Sequence, residues 1–243
     1  MRRLHNSLFF ALVTVLGVAG CSSLEPSVTF QSNTGDVSLN VSSISSGFAG
    51  SLPTTSGPNG LELQSICCNS SSCPSSPGCP SDVTAGGYTI QFQCQASLCD
   101  PVPFYVDGTA ASVDFSALSS TYLKVLSHVE LKAADYQITQ NSLNFAMEPI
   151  EIYWGSAGAT AWNSAGTHLL GTVPMISAMQ TGQGSIALDS AGNAALTSYL
   201  AGTSKQVKLF YRTRLDLAPG EPIPGGSVTV RMIFTIKATG SLR

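Results

Sequence analysis

The chain has 243 residues, 43 % of them hydrophobic, and a formal net charge of −3 at pH 7. That apolar share can fill a sizeable core in one or two domains, and the lack of any basic run excludes nucleic-acid binding by phosphate neutralisation. Charged residues make up only 10 %, against roughly 25 % in an average domain; Ser, Thr, Gly, Asn and Gln cover the surface instead, a profile that suits exported β-proteins.

The chain opens MRRLHNSLFFALVTVLGVAGCSS. Arg2 and Arg3 form a positive n-region, and Leu8 to Val18 an apolar stretch of secretory-signal length, short for a membrane span. The tetrapeptide Val18-Ala19-Gly20-Cys21 resembles the lipobox of bacterial lipoproteins. The resemblance implies removal of residues 1–20, a diacylglycerol on the Cys21 sulfur and acylation of the new amine. Ser22, where Asp would retain a lipoprotein at the inner membrane, implies sorting to the outer membrane. An ordinary signal peptide cut at Ala19 or Gly20 would instead leave Cys21 as a free thiol, the odd one among seven cysteines. Two or three acyl chains anchor a protein stably, at about 0.8 kcal/mol per buried methylene. No other apolar run approaches the roughly 18 residues of a spanning helix. The expectation is therefore a lipid-anchored protein of the bacterial cell envelope.

Residues 21–27 form a short tether, and residues 28–243 a single body with a subdivision conceivable near 110–128. Val28 to Phe30 reads as a strand, and Val37 to Val41 alternates as a half-buried strand does. Gly47 to Gly60 reads as loop. Leu61 to Ile66 then leads into the cysteine-rich segment, residues 67–99.

Outside the cytoplasm disulfides persist. With Cys21 lipidated, Cys67, Cys68, Cys73, Cys79, Cys94 and Cys99 remain, an even set that reads as three bridges of undetermined connectivity. Cys67 and Cys68 are adjacent, so each should pair elsewhere. Zinc, the rival reading, would want paired C-x2-C knuckles or nearby histidines; the spacing is C-C-x4-C-x5-C-x14-C-x4-C, with no His between His5 and His128. A redox C-x-x-C is missing as well. No metal or cofactor is expected. Residues 69–80 hold almost no apolar side chain, so cross-links, typically worth 2–4 kcal/mol each, must order them.

Tyr88 to Gln95 is the cleanest strand, with Cys94 on the Tyr88, Ile90 and Phe92 face and so core-facing. Asp100 to Pro103 reads as a turn. Ser116 to His128 has near-helical apolar spacing and predicts a short helix. Strands follow at Val129 to Leu131, Tyr136 to Ile138, Leu143 to Met147 and Ile150 to Trp154, with a bulge near Ala133-Ala134-Asp135. Glu148-Pro149 marks a kink or edge between the last two. Further strands are Leu169 to Val173, Ser185 to Leu188, Gln206 to Leu217 and Ser227 to Ala238. One helix interrupts them at Ala191 to Ala201, capped by Asp189 or Ser190 and stopped by Gly202. About ten short strands with Gly/Pro-rich turns predict an all-β fold, an antiparallel β-sandwich with one or two short helices and a disulfide-stapled loop. From Val129 onward the pattern resembles the water-stress (late-embryogenesis) β-sandwich domain: Asn144 beside a Pro-interrupted strand pair, then strand, helix, strand.

The chain has no G-x-S-x-G, S-x-x-K, H-E-x-x-H or EF-hand pattern. His128 and His168 stand without a partner motif, and Asp107-Gly108 and Asp135 lack calcium-loop spacing. Glu148 and Glu151 are the nearest thing to a catalytic carboxylate pair, but residues three apart on a strand face opposite ways. Tyr153 and Trp154 must also face opposite ways, and Trp162 follows in a Gly-rich loop, so these three aromatics are the candidate ligand-binding residues. The leading expectation is a non-enzymatic envelope protein with a structural or partner-binding role. The alternative is a carbohydrate- or small-ligand-binding module at the membrane surface, and the third an enzyme whose constellation forms only in space.

Overall fold

The computed structural model describes residues 27–48, 52, 54–58, 60–66, 68, 78–85, 87–116 and 123–242. The stretch read as a signal peptide, Cys21, Cys67 and Cys73 lie outside the described residues. Sixteen described strands and two helices build an antiparallel β-sandwich.

The first sheet has the order β1 (Ser27–Asn40), β16 (Ser227–Leu242), β10 (Leu123–Asn141), β13 (Gly182–Ser185). β16 is the long alternating strand read from sequence. Val228, Val230, Met232, Phe234, Ile236 and Ala238 face inward and are fully buried, while Thr229, Arg231 and Lys237 face outward. The second sheet runs β14 (Ala187–Leu188), β12 (His168–Val173), β11 (Ile150–Ser156), β15 (Gln206–Leu215), β8 (Phe104–Asp107), with β9 (Ala111–Asp114) also on β15. Its inner face presents Ile150, Ile152, Trp154, Leu209, Tyr211 and Leu215 to the first sheet. One contiguous core joins the two layers, with Phe115 meeting Phe234 edge-on at 5.9 Å.

Several local expectations are corrected. Val28–Phe30 and all of Val37–Val41 but its last residue belong to one strand, β1, which absorbs an irregularity between Asn33 and Asp36 where Gly35 takes φ 70°. Ser116–His128 is not a helix over its described part: residues 123–128 begin β10, because β16 offers a ladder partner along this whole length. The predicted strands at Val129 and Tyr136 fuse into the same strand, with a register shift between Leu131 and Ala133 next to the expected bulge. Leu143–Met147 makes only one bridge, Met147 to Ile176. Asparagine side chains replace its ladder: Asn141 Oδ1 accepts from Leu143 N at 3.0 Å, and Asn144 accepts from Gly225 N at 2.7 Å. Pro149 therefore precedes β11 rather than kinking a strand. Gly47–Gly60 is not all loop, since α1 (Ser42–Phe48) precedes a hairpin of β2 (Thr54–Gly57) and β3 (Gly60–Leu63).

Tyr88–Gln95 is likewise broken at Gln91, whose carbonyl accepts from Val102 N at 2.7 Å. It supplies one strand to each of two small hairpins: β5 (Tyr88–Ile90) pairs with β4 (Val83–Ala85), and β6 (Phe92–Gln95) with β7 (Leu98–Pro101). Beyond the break Cys94 is exposed, and Cys99 is the buried one among the described cysteines of this segment. Asp100 and Pro101 lie in β7 rather than in a turn. Residues 182–188 cross from β13 in one sheet to β14 in the other, with buried Ile186 between them donating its N–H to Ala134 at 2.8 Å.

The second helix, α2 (Ser190–Ala201), matches its sequence signals closely. Asp189 accepts from Gly192 N at 2.7 Å as N-cap, and Gly202 ends the helix. α2 packs on β12 and β10 and so closes one side of the sandwich. Gly192 makes this approach possible, since a Cβ there would collide with the Leu169 carbonyl oxygen. At the opposite turn Gly226, at φ 92°, leaves no room for a Cβ beside the Ser142 carbonyl. Replacing Gly192 with Ala should therefore destabilise the fold by about 1–3 kcal/mol through overpacking. Ser198→Ala, on the exposed side of the same helix, should stay within about 0.5 kcal/mol. Thermal melts of the two variants against wild type check this pair.

Candidate functional site

The outer face of the second sheet collects the most chemically distinctive side chains. Alternation turns Glu151 and Tyr153 of β11, Phe210, Arg212 and Arg214 of β15, and Tyr105 and Asp107 of β8 away from the core. Register sets Glu151 opposite Arg212 and Arg212 opposite Asp107, so Arg212 sits between two carboxylates across the strands. Tyr105 lies opposite Arg214.

Trp162 reaches this face from the loop after β11. Thr167 Oγ1 donates to the Trp162 carbonyl at 2.6 Å, and Ala161 N donates to Ser164 Oγ at 3.0 Å, which holds the loop in shape. The indole then packs beside Tyr153, ring centroids 5.4 Å apart. The Arg212 guanidinium lies between two rings, its Cζ 3.6 Å from the Tyr105 centroid and 3.8 Å from the Trp162 centroid. Its side chain is 19 % exposed, its Nε is buried, and its nearest carboxylate oxygen is Asp107 Oδ1 at 3.9 Å. No hydrogen bond reaches the guanidinium among the described residues. Tyr153 donates to Glu151 Oε2 at 3.0 Å; burial, reinforced by that carboxylate, pushes its phenol pKa up.

Of the three aromatics expected from sequence to bind a ligand, Tyr153 and Trp162 meet here. Trp154 does not, and that expectation is corrected. It is 3 % exposed, its Nε1 donates to the Gly192 carbonyl at 3.0 Å, and its ring lies 5.2 Å from His168 and 5.4 Å from Tyr199. It is the core member of the Tyr153–Trp154 pair, and it occupies His168 as a stacking partner. His128 lies in the first sheet opposite Thr239. Tyr105 and Arg212 were missed. The alternation of β15 could have marked Arg212 as outward-facing, but its meeting with Tyr105 depends on strand order.

Hollows lined by described residues also lie elsewhere. A cleft of about 660 Å³ is lined by Asp100, Glu148, Glu221, Phe145, Met175 and Leu217 among others. Glu148 belongs to this cleft and Glu151 to the aromatic face, so the two do not form a catalytic pair. A groove of about 370 Å³ includes Asp114, Tyr199 and Lys205. Lys205 has a structural task there: its ammonium donates to the carbonyls of Leu200 and Gly202 and so caps α2. Desolvation lowers its pKa.

The cysteine-rich segment is cross-linked as Cys68–Cys94 and Cys79–Cys99, with Cα separations of 5.8 and 5.3 Å. The sulfurs of Cys68, Cys79 and Cys99 all lie within 4.8 Å of one another, so the two bridges are neighbours and their four sulfurs are consumed by each other. No helix among the described residues is long and apolar enough to cross a membrane.

Comparison with protein-family models and with curated proteins finds no match. A non-reducing proteolytic map should recover the linked peptides Cys68–Cys94 and Cys79–Cys99. Recovery of Cys68 linked to Cys99 would contradict the structure.

Proposed function

We propose that the protein is a bacterial lipoprotein, held at the envelope by lipid on Cys21, with a non-catalytic partner-binding role. The observation that carries this reading is the sequence Val18-Ala19-Gly20-Cys21, preceded by an apolar signal and followed almost at once by folded structure. Residues 21–26 reach at most about 20 Å when fully extended. The start of β1 is therefore kept close to the bilayer. β1 rises roughly 3.3 Å per residue over its 14 residues, which carries Asn40 roughly 45 Å along the strand from that point. The cleft lined by Glu148, Leu217 and Glu221 sits at this far end, where β16 begins and β10 finishes.

The outer membrane is the expected address, from Ser22. Oxidised cysteines support export, since disulfides persist outside the cytoplasm. The non-catalytic reading is supported by the partners of the candidate titratable groups. His168 is stacked on Trp154, Glu151 holds the Tyr153 hydroxyl, and Lys205 caps α2.

Replacing Cys21 with Ser tests the anchor. The substituted protein should leave the membrane fraction and lose its labelling by radioactive palmitate, while its disulfides and melting temperature stay as in wild type. Retention in the membrane fraction without label would refute a lipid anchor.

A further inference from the structure

We propose that Tyr105, Asp107, Arg212 and Trp162 form a saccharide site on the outer face of β11, β15 and β8, selective for an uncharged pyranose. This rests on the protein being a binding module and is independent of its lipid anchor.

The argument starts from Arg212. Two aromatic faces fix its guanidinium plane, at 3.6 and 3.8 Å from the Tyr105 and Trp162 centroids. A guanidinium so ordered has already lost its rotamer freedom, so hydrogen bonds to it cost little further entropy. Both cross-strand neighbours are carboxylates, yet neither takes its protons. Glu151 is committed to the Tyr153 hydroxyl at 3.0 Å, and Asp107 Oδ1 stands 3.9 Å from the Arg212 Nε. Asp107 is 61 % exposed, with acceptor oxygens open to solvent. A planar donor edge and a planar acceptor edge thus stand side by side.

Vicinal sugar hydroxyls match this arrangement, one accepting from Arg212 and its neighbour donating to Asp107. Tyr105 supplies the apolar half of the recognition. It is 43 % exposed although the guanidinium already covers one face, so ring surface remains for the C–H face of a pyranose. Charge selects among sugars. Arg214, the second cation of this face, is paired with Asp216 at 3.4 Å, so Asp107 and Glu151 outweigh Arg212 and a uronate or sulfated sugar meets net negative charge.

The test uses the full protein as isolated, in a detergent without a sugar headgroup. Titration with maltohexaose, cellohexaose, mannohexaose and N,N′-acetylated chitohexaose is followed by calorimetry and by tryptophan fluorescence, with oligogalacturonate as the anionic comparison. At least one neutral oligomer should bind saturably, and Tyr105→Ala should weaken it roughly tenfold. Arg212→Met, which keeps the apolar stem, should weaken it similarly. Tyr105 is on the exposed face of an edge strand, so its variant should melt with wild type and isolate binding from folding. Trp162→Phe should abolish the fluorescence change, because buried Trp154 does not report on this face. Absence of binding to every neutral oligomer below roughly 10 mM, binding unchanged in Tyr105→Ala, or preference for oligogalacturonate would each overturn the proposal.

Discussion

The fold depends on the insertion of β16 between β1 and β10. This last described strand pairs with the first described one along nearly its whole length and with the 19-residue β10 on its other side. Its inner row from Val228 to Ala238 is buried at 4 % exposure or less. At roughly 25 cal/mol per Å² of apolar surface, that single row outweighs any local element, and it exists only once both neighbours are in place. The strand pairing is therefore almost wholly non-local, and the two sheets share one core instead of folding separately. The same pairing brings the start of β1 and the end of β16 to one end of the sandwich, Ser27 opposite Thr239. A lipid on Cys21 would thus hold the molecule by the end where β1 starts and β16 stops.

The second sheet shows what a well-filled core permits on its other side. Along β15, Leu209, Tyr211, Thr213 and Leu215 are buried, and even the Thr213 hydroxyl is satisfied, donating to the Glu148 carbonyl at 3.0 Å. The backbone is held from within, so Phe210, Arg212 and Arg214 have fixed positions without having to pack a core. Tyr105 and Asp107 on β8 and Tyr153 on β11 are placed the same way. Only Trp162 comes from a loop, and that loop is tied by Thr167 and Ser164. An aromatic and charged face built on strands keeps its geometry better than one built on loops.

Much of this was legible in the sequence where a signal is local. The alternation of β16 and the caps of α2 each needed only a dozen or so neighbouring residues, and the opposite facing of Tyr153 and Trp154 follows from strand parity. Which of the two is buried did not follow, because it depends on α2 arriving to receive the indole N–H at Gly192. The stretch before His128 misled because apolar spacing near a helical period loses to a ladder partner supplied from the far end of the chain. Leu143–Met147 misled in the opposite sense: its alternation is strand-like, but Asn141 and Asn144 give the backbone other partners. Cys94 misled because the break at Gln91 cannot be seen in a perfect run of alternating residues. The Tyr105–Arg212–Trp162 stack was illegible in principle, since three separate segments meet only through strand order.

The cysteine-rich segment links the redox state of the chain to this aromatic face. Hairpins β4–β5 and β6–β7 are short, and two-stranded hairpins are marginal alone. Ile90 anchors them in the common core, Cys79–Cys99 and Cys68–Cys94 add covalent bracing, and Cys99 N donates to the Ile66 carbonyl at 2.8 Å. β7 ends at Pro101 and β8 begins at Phe104, so whatever fixes β7 also fixes the entry to β8. Tyr88 of β5 packs on Phe104 at 5.7 Å, a second restraint on the same strand. β8 is an edge strand that pairs with β15 over only four residues, too short a ladder to hold Tyr105 and Asp107 firmly by itself. The bridges thus act on the outer face through β8: they restrain the one strand of that face which the core secures least.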